Sequence, residues 1–179
     1  MSEPIAIRRY REVDMTPERV REIDRIFFEA SSIKSFTSDA ARAAFRERWL
    51  GRYLSYDPEF AYLALDSGGA IVGYLVGAIE DPAQVERFAD IPYFAALAEQ
   101  TKRYPAHLHV NIDPAFRNRG IGGQLINRFV TDARAAGAPG MHVVTSAGAA
   151  NVRFYNRNGF GEVARAGTDG GLVFLARSL

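Results

Sequence analysis

The segment Arg117-Asn-Arg-Gly-Ile-Gly-Gly123 has the residue types and spacing of an anion cradle. It follows the apolar run His107-Leu-His-Val-Asn-Ile112 and precedes the amphipathic run Gln124-Leu-Ile-Asn-Arg-Phe-Val-Thr-Asp-Ala133. A strand that turns through such a loop into a helix N-terminus is suited to phosphate, because the loop amides point outward and the helix dipole favours the anion. Gly120, Gly122 and Gly123 let the backbone approach closely, and the amides of Asn118 and Ile121 belong to the same turn. Arg117 and Arg119 can add charge-assisted hydrogen bonds. A phosphorylated ligand is therefore expected here.

Three kinds of phosphate loop compete. A Walker loop needs Gly-x-x-x-x-Gly-Lys followed by Ser or Thr, and the chain has no such run. A dinucleotide fingerprint needs a third glycine where Leu125 stands, and the next strand, Met141 to Thr145, ends without an acid for a ribose. An Arg-x-x-Gly-x-Gly loop after an apolar strand and a proline, here Pro114, is the pattern that remains. Groups able to move protons lie elsewhere: Glu80 and Asp81 after an apolar run, and His107 and His109, which share a strand face by period-two spacing. A zinc site would have to rest on these histidines and His142, whose strand position is unhelpful, so no metal is expected. At least one histidine is expected to be structural.

The elements that must position these groups are readable from periodicity. Ile5–Tyr10 has strand character; Asp14 or Thr16 can cap a helix beginning near Pro17, with Val20, Ile23, Ile26, Phe27 and Ala30 on one stripe. A second helix is expected from Asp39 to Leu54, ended by Asp57-Pro58. Residues 60–65 and 70–79 read as a hairpin across Asp66-Ser-Gly-Gly69. The stretch 80–104 breaks the β pattern and reads as a lid over an acceptor site, a wall of that site, or a packed helical connector. Then come the strand 107–112, the loop, a helix to Ala136, a strand at 141–145, a short helix at 149–158, and a terminal strand pair at 160–164 and 172–176. The expected fold is one mixed α/β domain over residues 1–179, with a mostly antiparallel sheet of six to seven strands flanked by helices.

Composition narrows the function classes. With 47% hydrophobic and 24% charged residues the chain is an ordinary folded protein, large enough for a real core. A net charge of +1 and no basic patch interleaved with aromatics argue against nucleic acid. The lack of cysteine excludes disulfides and a cysteinyl acyl-enzyme. The N-terminus lacks the apolar core of a signal peptide, and no run approaches the roughly 20 apolar residues of a membrane span. A cytoplasmic protein without nucleic-acid or membrane partners is the expectation.

The Arg117-to-Gly122 loop, together with Phe154-Tyr-Asn-Arg-Asn-Gly-Phe160, resembles the GNAT superfamily of acetyl-CoA-dependent N-acetyltransferases, whose members carry Arg/Gln-x-x-Gly-x-Gly/Ala and Phe-Tyr-x-x-x-Gly-Phe in this order. The resemblance runs from about residue 5 to 177. More narrowly, Tyr104-Pro-Ala-His-Leu-His109 and Gly137-Ala-Pro-Gly-Met-His142 look like a bacterial subgroup similar to the acetyltransferase-like region of some O-GlcNAc hydrolases. The resemblance implies that acetyl-CoA lays its pantetheine arm along Val110, Asn111 and Ile112, and its pyrophosphate on the amides from Asn118 to Gly123 beside Arg117 and Arg119. It implies that Phe154 contacts the cofactor and that Tyr155 beside it gives a proton or hydrogen bond to the departing thiolate. The family often has an asparagine where Gly148 stands and an alanine where Asn151 stands, so Asn151 would reach the pantetheine or cap its helix from a different angle. The base is open among Glu80, Asp81, His107, His109 and a water chain. Direct transfer to an amine of a small molecule or peptide, by a monomer or homodimer, is the implied activity; a non-catalytic acyl-CoA sensor or scaffold is the alternative.

Overall fold

The structure, a computed structural model, describes residues 4–179; Met1, Ser2 and Glu3 of the segment read for a leader lie outside the described residues. Seven strands form one sheet in the order β1-β2-β3-β4-β5-β7-β6, mostly antiparallel and flanked by helices. The chain gathers into two compact units, Met1–Gly77 with His109–Phe129, and Ala78–Leu108 with Val130–Leu179.

In the first unit β1 (Ala6–Arg9), β2 (Ala61–Leu65) and β3 (Ile71–Ala78) run antiparallel, with Ile7 opposite Ala64 and Leu63 opposite Tyr74. Asp66 closes the β2–β3 turn by accepting the Gly68 and Ala70 amides, each at 2.9 Å. β4 (Ala106–Ile112) ends against β3, where the Asp113 amide donates to the Val72 carbonyl at 2.9 Å. Gly73 permits that approach, because a Cβ there would come within 2.6 Å of the Ile112 side chain. α1 (Pro17–Ala30) starts where Thr16 accepts the Arg19 amide, and buries Ile23, Ile26 and Phe27.

The helix expected over Asp39–Leu54 is three pieces. α2 (Asp39–Arg46), capped by Ser38, passes through a π-helical turn, Glu47–Gly51, into α3 (Arg52–Tyr56). Leu50, Gly51, Arg52 and Tyr53 are consecutive and all buried. Four successive helical positions point around the whole axis, so the helix is enclosed on every side where the wider turn passes into α3.

In the second unit β4 begins parallel to β5 (Gly140–Ser146), with His107 opposite His142. β7 (Leu172–Ser178) is antiparallel to both β5 and β6 (Gly161–Ala166). Residues 80–104 carry a single 3-10 turn, Glu86–Phe88, then α4 (Pro92–Ala96) and α5 (Ala98–Arg103). Phe88, Ile91, Phe94 and Leu97 from this stretch are buried in the unit's core. That core is a ring stack: His107 lies on His142 at 5.4 Å and His142 on Phe174 at 4.4 Å, with Phe88 and Phe94 edge-on to His107 at 4.9 and 5.5 Å. α6 (Ile121–Ala135) runs on from the loop, and α7 (Asn151–Arg157) follows β5. Among the described residues no helix is long and apolar enough to cross a membrane.

Candidate functional site

The loop after β4 is built from its first residue. Asp113 caps the 3-10 turn Pro114–Phe116 by accepting the Ala115 amide at 2.9 Å, and it receives the Arg25 guanidinium of α1 at 2.5 Å. Burial pushes the Asp113 carboxyl up, but hydrogen bonds from Arg25 and the Ala115 amide, with the Arg25 and Arg117 charges, more than offset this and hold it below the usual carboxylate range. Arg25 also binds Glu29 at 3.0 Å, so α1 presents an organised pair to the loop's base.

Beyond that base the backbone alternates hand. Asn118 has φ +61° and Gly120 φ +77°, a conformation that glycine accepts without penalty and that asparagine tolerates. The first hydrogen bond of α6 runs from the Gln124 amide to the Gly120 carbonyl at 3.2 Å. The amides of Ile121, Gly122 and Gly123 precede it and have no helical partner. Space in front of Gly120 is open, with nothing within 4 Å of where a Cβ would stand. Arg117 donates to the Ile112 carbonyl at 3.2 Å; Arg119 donates to the Ala115 carbonyl at 3.0 Å and lies over the Phe116 ring. Both cations are thereby folded onto their own loop. Amides without a helical partner, an exposed positive rim and a helix N-terminus fit a diphosphate.

The strand leading into this loop carries Val110, Asn111 and Ile112, all half-buried. Asn111 donates to the Tyr74 hydroxyl at 2.8 Å, so its side chain is held while its main chain remains strand. His109 sits one residue earlier in a pocket of aromatic rings. Its Nε2 is 3.3 Å from the Tyr53 hydroxyl, and the Trp49 and Tyr53 rings stand edge-on at 5.5 and 5.3 Å. Burial lowers its pKa from 6.5 to about 4, so the imidazole is neutral at pH 7.

In the second unit Tyr155 lies on α7, 6% exposed, edge-on to Phe154 at 5.1 Å and to Phe160 at 5.4 Å. Burial pushes its phenol up. Its hydroxyl makes no hydrogen bond to any described residue. Asn151, at the start of α7, accepts the Thr145 hydroxyl at 3.0 Å and does not cap the helix, whose N-cap position is Ala150. Glu80 accepts the Arg87 guanidinium at 2.8 Å, and Asp81 folds onto the Ala83 amide at 3.0 Å. His107 and His142 engage backbone carbonyls, those of Pro105 and Tyr104, within the ring stack.

Sequence reasoning passed over Arg25, Tyr53 and the cap made by Asp113. The Asp113-Pro114 pair is itself a turn signal and pointed to the cap. Nothing local pointed to Tyr53 or Arg25, which reach the site from elements 56 and 88 residues away.

The acetyltransferase (GNAT) family model matches residues 18–160. Among solved structures, SsHAT is similar at 23% identity, over 97% of this chain and 98% of that one, with a TM-score of 0.74. A GNAT superfamily phosphinothricin acetyltransferase from Sinorhizobium meliloti, solved in complex with AcCoA, is similar at 20% identity, over 98% and 88%, with a TM-score of 0.62. The NatC complex bound to Gag peptide and CoA is similar at 15% identity, over 98% of both chains, with a TM-score of 0.66. At these identities the structures share the fold.

Proposed function

The chain belongs to the GNAT acetyltransferase family, and on that premise we propose that it moves an acetyl group from acetyl-CoA directly onto an amine of a small molecule or peptide. The observation that carries this reading is the set of α6 amides at Ile121, Gly122 and Gly123 that precede the first helical hydrogen bond, behind a loop with two arginines and open space at Gly120. In this reading the pyrophosphate rests on those amides and on that of Asn118, flanked by Arg117 and Arg119. The pantetheine arm follows the main chain of Val110, Asn111 and Ile112.

The chemistry is attack of a neutral amine on the thioester carbonyl: the new C–N bond forms, the C–S bond breaks, and one proton leaves nitrogen as one is gained by sulfur. We assign Tyr155 the support of the departing sulfur. A phenol whose acidity burial has weakened stays protonated, and full transfer to a thiolate with an ordinary thiol pKa of about 8.5 is uphill. Its part is therefore a hydrogen bond to sulfur, held ready by Phe154 and Phe160. The proton that sulfur finally takes is the one the amine gives up.

For that amine proton, among Glu80, Asp81, His107, His109 and a water chain, we take His109 as the acceptor. It is neutral at pH 7, and an attacking nitrogen becomes a strong acid once the bond to carbon forms. Glu80 is exposed and already holds the Arg87 cation. Asn151 supports Thr145 and is not assigned a cofactor contact.

The test is thiol release from acetyl-CoA with a panel of amines, together with the mass of the product. Stoichiometric free CoA and an acetylated amine support the reading. Acetyl-CoA binding with no product from any amine would favour the sensor or scaffold alternative.

A further inference from the structure

Besides the loop, the first unit holds an open cavity of about 570 Å³ walled by the end of α1, the connection to α2 and the first turns of α2. Its floor is aromatic. Phe28 and Phe36 meet at 5.9 Å, and Phe27 and Phe45 complete a ring cluster at 4.9 to 5.5 Å. Ile33, 44% exposed, extends the apolar surface at the rim.

Charge is arranged on that floor in an unusual way. The Arg42 guanidinium lies over the Phe28 ring, 3.6 Å from its centroid, and makes no hydrogen bond or ion pair with any described residue. Asp39 lines the same cavity three positions earlier on α2 and does not pair with it. The Lys34 ammonium donates to the Glu29 carbonyl at 2.8 Å, which leaves further N–H groups for a ligand. A guanidinium stacked on a ring presents its N–H edge outward, and that planar fork matches a carboxylate.

We propose that this cavity binds a small carboxylate with an aromatic or branched apolar body. The carboxylate meets Arg42 and Lys34, and the body packs on Phe36 and Ile33. Asp39 adds a requirement for a positive group, which makes a zwitterionic apolar amino acid the best match: two cations and one anion in the wall leave it one positive charge, and each ligand charge finds its opposite. The assignment stands on the cavity alone and does not depend on acyl transfer. Such a ligand has two sources, the amine acceptor itself or an effector.

Calorimetric titration without acetyl-CoA tests the site, with L-phenylalanine, 3-phenylpropionate and L-phenylalaninamide as probes. L-phenylalanine is expected to bind saturably, phenylpropionate more weakly, and the amide at least about tenfold more weakly than the acid, since it cannot satisfy the fork. Arg42→Gln is expected to weaken L-phenylalanine at least about tenfold, and Arg42→Lys to retain part of the affinity, while Arg21→Gln on α1 leaves it unchanged. Equal binding of acid and amide, an unaltered Arg42→Gln, or no saturation by either carboxylate would overturn the proposal; Arg42→Lys guards against loss through misfolding. Mass spectrometry after adding acetyl-CoA then separates the sources. N-acetylated ligand marks the acceptor and unchanged ligand marks an effector, and either supports the site. Transfer to other amines with no probe binding would sink this proposal and leave the proposed activity standing.

Discussion

A phenol enclosed by Phe154 and Phe160 keeps its proton at neutral pH because burial penalises the phenolate. Removing only its hydroxyl keeps the ring packing, so Tyr155→Phe isolates the hydrogen bond to sulfur proposed for it. The expected result is a fall in kcat of about a hundredfold, with the KM for acetyl-CoA within about threefold of wild type, read by steady-state kinetics. His109 gives a second prediction at this scale. Its folded pKa, about 4, lies below its ordinary value of 6.5, so the unfolded chain binds the extra proton between those values. Stability is therefore full above about pH 6.5 and declines as pH falls towards 4, by up to about 3 kcal/mol from this residue. Denaturant midpoints measured from pH 7 to pH 4 should fall less steeply in His109→Gln than in wild type. Tyr155 was singled out as a candidate because it stands in a local motif, and its packing between Phe154 and Phe160 was legible there; the setting of His109 was not, because Tyr53 and Trp49 come to it through a π-helical turn. Period-two spacing grouped His107 with His109, yet His107 belongs to the ring stack and His109 to the Tyr53–Trp49 pocket.

The loop between β4 and α6 works as an element, not as a set of side chains. The cradle proposed for it depends on backbone hand at Gly120 and on the anchor at Asp113. A β-branched side chain at φ +77° is strained by about 1–2 kcal/mol and also enters the open space above the amides. Gly120→Val should therefore weaken CoA binding at least about tenfold by calorimetry, more than its cost in thermal stability would suggest. Arg25→Ala removes the strut from α1 while leaving every amide in place. Because that pair is partly exposed, the expected effect is small, about 0.5–1 kcal/mol in stability, with a several-fold rise in the Kd for CoA. Strand, loop and helix were readable from the switch in apolar period and from the glycines. The break in the helix after Arg46 was not, since Glu47 to Gly51 contains no proline and a single glycine at its end.

At the scale of the whole molecule, each unit carries its own core, and the family match spans both. The core of the second is organised by rings on His107, His142, Phe94 and Phe174, so Phe174→Ala should cost about 3–5 kcal/mol by chemical denaturation. Sheet class and strand count followed from alternation and turn residues; the ring stack did not, because two histidines at strand spacing are equally compatible with metal or proton chemistry until their neighbours are known. A net charge of +1 offers no long-range attraction to anions, so in the proposed reading the local field of the loop holds the donor. The most direct test is therefore transfer itself: acetyl-CoA and an amine panel, with free CoA thiol and acetylated amine counted together. The account predicts equal amounts of both, rising with enzyme and falling about a hundredfold in Tyr155→Phe. Saturable acetyl-CoA binding with no acetylated amine, or transfer unchanged in Tyr155→Phe, would contradict it.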